Sequence, residues 1–335
     1  MTEPWNRANT DWLREAKWGT MTHYLADAAS NRNAVNLTTD DWNRRIDSVN
    51  VDRLAEQIAQ TGAGYHILTL GQNSGFFCAP NETYDAIVGT PSKLSRRDLL
   101  GELAAALGNR GVRTLAYLPS HAPALDRRAV EALKFTPAWD MSGTGIIPGT
   151  YISAPGVDAR LTEALQNWEA VIRDWSVRWG PNVSGWWFDG CYYADKIYRH
   201  ADEPNFRSFA QSAKAGNPEA IVAFNPGVKV PVISMTEYED YTAGEINDFW
   251  IGNKWEPLQR YIRGAQLHVL SFLGRYWGEG PARITPELAA AYTNHVSHHE
   301  GVVTWDIPIS REGQISDEFR EDLGRIGRLV NEMKA

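Results

Sequence analysis

Short apolar runs, each followed by a longer helical pattern, recur about eight times along this 335-residue chain, and few folds accommodate that rhythm. The runs read as strands at Trp18–Tyr24, Tyr65–Leu70, Val112–Leu118, Gly185–Asp189, Ala220–Asn225, Gln266–Leu273 and Gly301–Asp306, with a short sixth strand near Val232–Met235 in an irregular stretch. Between them, helical patterns fall at Asp52–Gln60, Ser95–Asn109 (Ser95 as cap, Asp98 three residues on), Asp158–Trp179, Asn205–Ala215, Trp255–Gly264, Pro286–His298 and Ser316–Met333. Strand-then-helix repetition implies a parallel sheet with crossover helices. Closing that sheet into a (β/α)8 TIM-like barrel accounts for the count without an exposed edge. The competing arrangement is an open doubly wound sheet, but no G-x-G-x-x-G follows the first strand. No interdomain linker or internal repeat interrupts the pattern, so residues 1–335 read as one domain, a length such barrels reach with insertions. Positions 119–157 form a long loop, the kind that usually carries function.

Bulk chemistry narrows the partner. A net charge of −8 lacks the basic footprint that phosphate binding needs, so nucleic acid is not expected. No stretch of eighteen apolar residues occurs, so no membrane span is expected, and the opening residues hold no apolar signal core. As it stands the chain reads as cytoplasmic, secretion after removal of a leader aside. Two cysteines as far apart as Cys78 and Cys191 give neither a disulfide framework nor a zinc cluster, and both read as bystanders. Fourteen tryptophans and thirteen tyrosines are more informative, because flat C–H faces of sugar rings stack on such rings while their polar ends stay wet. Most of them are expected in the core all the same. Oligomeric state is not legible.

In a barrel the reactive groups sit where strands end. The polar residues at those exits are His23, Tyr24, Gln72, Asn73, Ser120, His121, Asp189, Asn225, the stretch Glu237–Glu245, Tyr276, Trp277 and Asp306. None of these groups has metal-ligand spacing, and neither G-x-S-x-G nor a P-loop occurs. Asp189 stands out. It ends an apolar run behind Trp186, Trp187 and Phe188, where a carboxylate is costly to desolvate unless it is partnered or employed. It reads as a nucleophile or as the anion facing an oxocarbenium ion, with a loop-capping aspartate as the plain alternative. A second carboxylate must protonate the leaving oxygen. Glu237, Glu239, Asp240 and Glu245 are the candidates, three of them expected to be merely solvated. His298, His299 and Glu300 sit at a helix end on the far face and read as helix-terminal charge.

These segments, taken in order, resemble the α-L-fucosidase family, glycoside hydrolase family 29. Residues 16–23 (AKWGTMTH) are similar to A-K-F-G-x-F-x-H, residues 65–76 (YHILTLGQNSGF) to Y-x-V-L-T-x-K-H-H-D-G-F, and residues 97–117 to the helix and strand leading to G-L-Y-Y-S. Residues 187–190 (WFDG) are similar to W-F-D-G, residues 240–245 (DYTAGE) to D-Y-x-T-P-E, and residues 303–315 to L-L-N-I-G-P-x-x-D-G-x-I. The resemblance covers about residues 10–330. It implies an exo-acting, retaining barrel hydrolase that needs neither cofactor nor metal, with Asp189 as nucleophile, Glu245 as acid/base and His23 on a sugar hydroxyl. Tyr24, Gln72, Asn73, Trp187, Tyr193, Asn225 and Trp277 complete the expected carbohydrate site, with Trp250 a further wall candidate. The family's paired histidines are replaced by Gln72 and Asn73, its Lys and Asp by Gly71 and Ser74, and the Asn of its last motif by Asp306 beside Trp305. The chain stops at Ala335, without the β-sandwich that usually follows the barrel. A different sugar, or a barrel that binds carbohydrate without turning it over, are the alternatives.

Overall fold

The computed structural model describes residues 5–30, 36–121, 123–135, 139–140, 150–151, 155–248 and 259–332. Seven parallel strands form one sheet: β1 Trp18–Thr22, β2 Tyr65–Thr69, β3 Arg113–Pro119, β4 Val183–Asp189, β5 Ile221–Phe224, β6 His268–Phe272 and β7 Val302–Ile307. The spatial order is β6-β7-β1-β2-β3-β4-β5, so nearly every strand pairs with its chain neighbour across a helical crossover. Of the helices, Pro286–His298 spans the residues its sequence signals predict, with Thr285 capping Leu288 N–H and Pro286 in the first turn.

Alternation along the strands sorts the side chains into two layers. Ile67, Leu115, Tyr117, Trp187, Ala223 and Leu270 point inward and pack on one another. Their neighbours Leu68, Ala116, Leu118, Trp186, Phe188 and Phe224 point outward, against the helices. Both faces are buried, which is why the strands read as continuous apolar runs.

Where the sequence suggested a short sixth strand near Val232–Met235, there is none. The sheet's free ends, β5 and β6, are instead joined by residues 240–246. Asp240 N–H donates to Val222 O at 2.8 Å, Thr242 N–H to Gln266 O at 3.0 Å, and Ile246 N–H to Leu270 O at 2.9 Å. On the β5 side a side chain substitutes for a backbone acceptor, since Val222 N–H donates to Asp240 Oδ2 at 2.8 Å. Lys214 Nζ meets the same oxygen at 2.7 Å.

Other boundaries moved for local reasons. Asp98, not Ser95, caps the helix Leu99–Gly108, accepting from Gly101 N–H at 2.8 Å, while the Ser95 hydroxyl is spent on Arg97 O. Of the expected helix Trp255–Gly264, residues 255–258 lie outside the described residues. The remainder holds a hairpin, Tyr261–Ile262 against Ala265–Gln266, turned through Arg263 and Gly264 at positive φ. A helix at Thr39–Ser48, closed by a Thr38–Asp41 capping box, was not read from the sequence, nor was Arg127–Ala132 inside the 119–157 loop. No described helix is long and apolar enough to cross a membrane.

The Lys214–Asp240 pair is nearly sealed, with side chains 10% and 0% exposed. Replacing Lys214 with Met leaves a buried carboxylate uncompensated and is expected to cost about 3–5 kcal/mol in urea unfolding. A loss below about 1 kcal/mol would show that this pair does not anchor the 240–246 segment.

Candidate active site

The same alternation that fills the interior places the reactive groups. Each lies two residues beyond an inward-facing position, where the strand reaches the mouth: His23 after Met21, Asp189 after Trp187, Asn225 after Ala223 and Glu245 after Ala243. His23, Asp189 and Glu245 line a cavity of about 410 Å³. Trp187 forms its floor, stacked on Tyr117 at 5.2 Å and tied through Nε1 to Ala243 O at 3.0 Å. That bond fixes the segment carrying Glu245 against the strand carrying Asp189.

Asp189 is held from three sides. Tyr117 OH donates to Oδ2 at 2.5 Å, and Gly190 N–H and Asn225 Nδ2 both donate to Oδ1 at 2.8 Å. Gln72 Nε2 donates in turn to the Tyr117 oxygen at 2.8 Å. Burial and the adjacent Asp189 charge push the Tyr117 phenol well above its ordinary range, so it remains a neutral donor.

Asn225 is fully buried, and its one amide nitrogen serves both carboxylates: beyond Asp189 it reaches Glu245 Oε2 at 2.6 Å. The two oxygens are therefore no farther apart than contacts of 2.8 and 2.6 Å laid end to end. Glu245 is pushed up to about 7, first by burial and then by the negative Asp189, against the smaller pull of Asn225 and His23. Two carboxylates this close resist carrying two charges, and it is Glu245 whose hold on a proton is strengthened.

His23 forms the opposite wall. Its Nδ1 meets Asp306 Oδ1 at 2.8 Å, and Gly278 N–H donates to the other Asp306 oxygen. Burial disfavours charge on the ring, but Asp306, Asp189 and Glu245 together outweigh it, so the His23 pKa is raised. Its ring lies 5.7 Å from Tyr117 and 5.9 Å from Trp277.

Of the residues expected here, His23, Gln72, Asn73, Trp187, Asp189, Glu245 and Trp277 line the cavity. Asn225 sits behind it and acts through the carboxylates. Tyr24 is a correction. Next to inward-facing His23 it points outward, packs 6.0 Å from Trp42 and donates to Arg311 O at 2.7 Å. Tyr193 is another, since it rests half-buried on the outer core while Tyr192 takes the rim. Trp250 lies outside the described residues. Among the rival acids, Glu237 is exposed and accepts from the Thr236 hydroxyl. Glu239 and Asp240 are not solvated, as their acidic context suggested, but fully buried. Glu239 accepts from Met235 N–H at 2.6 Å and Phe224 N–H at 3.3 Å, and burial pushes it up to about 8. Neither reaches the cavity, which leaves Glu245 beside Asp189.

Sequence reasoning missed Tyr117, Tyr192 and Asn247. Tyr117 sits in an apolar strand, and the signal that finds it is register: it pairs with Trp187 across β3 and β4 and so faces the same way. His121, Tyr276 and Asp306 were noted as strand-exit groups and all belong to the site or its support.

Neither a protein-family model nor a curated protein matches the chain. Solved structures do. A variant of the endo-fucoidan hydrolase MfFcnA4 from glycoside hydrolase family 107 superposes with TM-score 0.72 at 18% identity over 97% of this chain, which spans 54% of that one. The family 107 endo-fucoidan hydrolase P5AFcnA gives 0.69 at 14% identity, covering 97% of this chain and 94% of that one. The α-L-fucosidase AlfC from Lactobacillus casei, in complex with α-L-fucose, gives 0.65 at 16% identity, covering 97% and 99%. At these identities the likeness establishes the fold.

A carboxyl whose folded pKa is raised stabilises the fold fully below its ordinary value of 4.5, and that contribution is lost as pH rises through about 7. Glu245→Gln keeps an acceptor for Asn225 and has no charge to bury. It is expected to match or trail the natural protein in urea unfolding at pH 4.5, and to exceed it by about 1–3 kcal/mol at pH 8. A pH-independent difference would contradict the raised pKa.

Proposed function

We propose that this chain is a retaining glycoside hydrolase acting on α-L-fucosides or a closely related L-sugar. Residues 240–246 would serve as the stave that completes an eight-stranded (β/α)8 barrel. The observation that carries the reading is the single Asn225 amide shared by two cavity-lining carboxylates. It holds one oxygen of each no farther apart than contacts of 2.8 and 2.6 Å laid end to end, which favours the roughly 5–5.5 Å carboxyl spacing of retaining enzymes over the roughly 6.5–9.5 Å that an inverting water requires.

The chemistry follows from the charge states. An Asp189 oxygen attacks the anomeric carbon while the Glu245 proton passes to the departing glycosidic oxygen. The electron pair of the breaking C–O bond leaves with that oxygen, and an ester to Asp189 forms. Esterification removes the Asp189 charge that helped hold the Glu245 pKa up. Glu245 then carries its negative charge against less repulsion and can take a proton from water, whose oxygen displaces Asp189. Tyr117 and Asn225 place Asp189 throughout, with one Oδ2 lone pair taken by Tyr117 and the other left for attack.

Support for fucose comes from the named activities of the similar structures, which are α-L-fucosidases and endo-fucoidan hydrolases. His23, Trp277, Asn73 and Gln72 would hold the sugar. One hydrogen of the Gln72 nitrogen is given to Tyr117, so its second N–H and its carbonyl are the groups offered to a hydroxyl.

Asp189→Asn is expected to lower kcat on aryl α-L-fucosides by about 10³-fold or more. In the natural protein, kcat/KM should fall as pH rises through about 7, because the acid must be protonated. Glu245→Gln should spare fucosides with strongly acidic leaving groups and fail on those with poor ones. Tight fucose binding with no Asp189-dependent release from any aryl glycoside would point to a binding barrel instead.

A further inference from the structure

Three donors fix the Asp189 carboxyl, and they differ in how firmly each is aimed. Gly190 N–H belongs to the backbone, and the Asn225 amide is turned by the bond its own Oδ1 accepts from Gly227 N–H at 3.0 Å. The third, Tyr117 OH, is a rotor: its hydrogen swings about the C–O bond and goes to whichever acceptor is in reach. Among the described residues the phenol oxygen has two partners, Asp189 Oδ2 at 2.5 Å and the Gln72 side-chain amide at 2.8 Å. As the nucleophile Asp189 is an anion and only accepts, so the phenol hydrogen belongs on it and the phenol oxygen must accept from Gln72 Nε2. An N–H offers no lone pair, so while Gln72 presents its nitrogen the hydrogen of Tyr117 has no other place to turn.

The loop that presents this amide is itself fastened. Gln72 O accepts from Gly75 N–H at 3.1 Å, closing a tight turn with Gly75 at φ +86°. Asn73 O accepts from Leu125 N–H at 2.8 Å, and Ser74 O from Lys93 Nζ at 2.9 Å. Ahead of the turn, Gly71 passes so near Phe77 that a Cβ would fall 2.4 Å from that ring.

We propose that Gln72 is a positioning residue for the nucleophile: by donating to the Tyr117 oxygen it directs the phenol hydrogen onto Asp189, and so acts on the reaction through Tyr117 in addition to any contact with the sugar. The proposal rests on the glycosidase reading and goes beyond it. Attack needs one Asp189 lone pair aimed at the anomeric carbon, and a misplacement of about 1 Å can cost about 10²-fold in rate. Gly190 and Asn225 hold Oδ1, whereas Oδ2 is held by Tyr117, so releasing the phenol hydrogen lets the carboxyl turn about the Oδ1 side.

The test is a double-mutant cycle on 4-nitrophenyl α-L-fucoside, read as the rate of nitrophenol release in a single turnover and, separately, as KM. Tyr117→Phe keeps the ring stacked on Trp187 and removes the hydroxyl. Gln72→Met removes the donor at similar length. It is expected to slow release about 3–10-fold in the natural background, and by less than about 2-fold once Tyr117→Phe is in place. Any rise in KM from a lost sugar contact should persist in both backgrounds, which separates the two roles. Should the methionine variant fail to fold, Gln72→Leu carries the same cycle. Rate losses that multiply in the double variant, or a Gln72 variant that releases nitrophenol at the natural rate, overturn the positioning role and leave the hydrolase standing. If the natural protein releases nothing from any aryl α-L-fucoside, the glycosidase reading itself has failed and the assignment of Gln72 falls with it.

Discussion

One buried amide sets the geometry of this site. Asn225 is fully enclosed, and its side chain offers a single donor nitrogen where two carboxylates converge. A neutral group can hold two acids together only if one of them gives up its charge, since like charges at this range in a buried setting repel strongly. The environment decides which. Asp189 collects hydrogen bonds from a phenol, an amide and a backbone N–H, while Glu245 has the Asn225 amide and the desolvating cavity wall. Of two residues of nearly the same chemistry, Glu245 is thereby the one whose pKa is raised, to about 7, as the proposed acid requires. The other Asn225 atom accepts from the Gly227 backbone, so the same side chain also fixes the edge of the cavity.

Period-two alternation explains why so much of this was readable from the sequence. Once a strand is buried on both faces, the inward parity of its apolar residues extends to the first polar residue past its end. Asp189 follows from Trp187 in this way and His23 from Met21. The same rule removes Tyr24, which differs from His23 by one position and therefore faces the helices. Position at a strand exit identifies a candidate, and parity decides whether it enters the cavity.

The unread parts share a cause: local pattern conflicts with tertiary surroundings. The stretch Thr236–Glu245 is acidic and contains glycine, which reads as a solvated loop. It instead bridges the two ends of the sheet, because Lys214 neutralises Asp240 from a helix more than twenty residues earlier and backbone donors at Phe224 and Met235 satisfy Glu239. Of those partners only Met235 lies near Glu239 in sequence; Phe224 and Lys214 fall outside any local window. Gly244 shows the tightness of that bridge. A Cβ there would fall 1.9 Å from His268 O, so the chain passes β6 at a distance only glycine permits, and Glu245 is delivered by that passage.

The charge balance of the cavity fits a reaction that passes through a cation. Two carboxylates face the space, Asp189 and Glu245, and a third, Asp306, stands buried behind His23. Glu245 holds its proton below about pH 7, and Asp306 is matched by an imidazole whose protonated form it favours. What remains is close to one net negative charge, on Asp189, with its oxygens fixed by donors that do not need to reorganise. An oxocarbenium-like centre develops positive charge at the carbon nearest that anion, so the attraction grows along the reaction coordinate and is weak in the neutral ground state. Had Asp306 stood without His23, a second fixed anion would push the Glu245 pKa higher and make it a weaker acid toward the departing oxygen in the proposed reaction. In the proposed reaction the His23–Asp306 pair therefore sets the electrostatic baseline against which the two acids would divide their roles, in addition to shaping the wall proposed to receive the sugar.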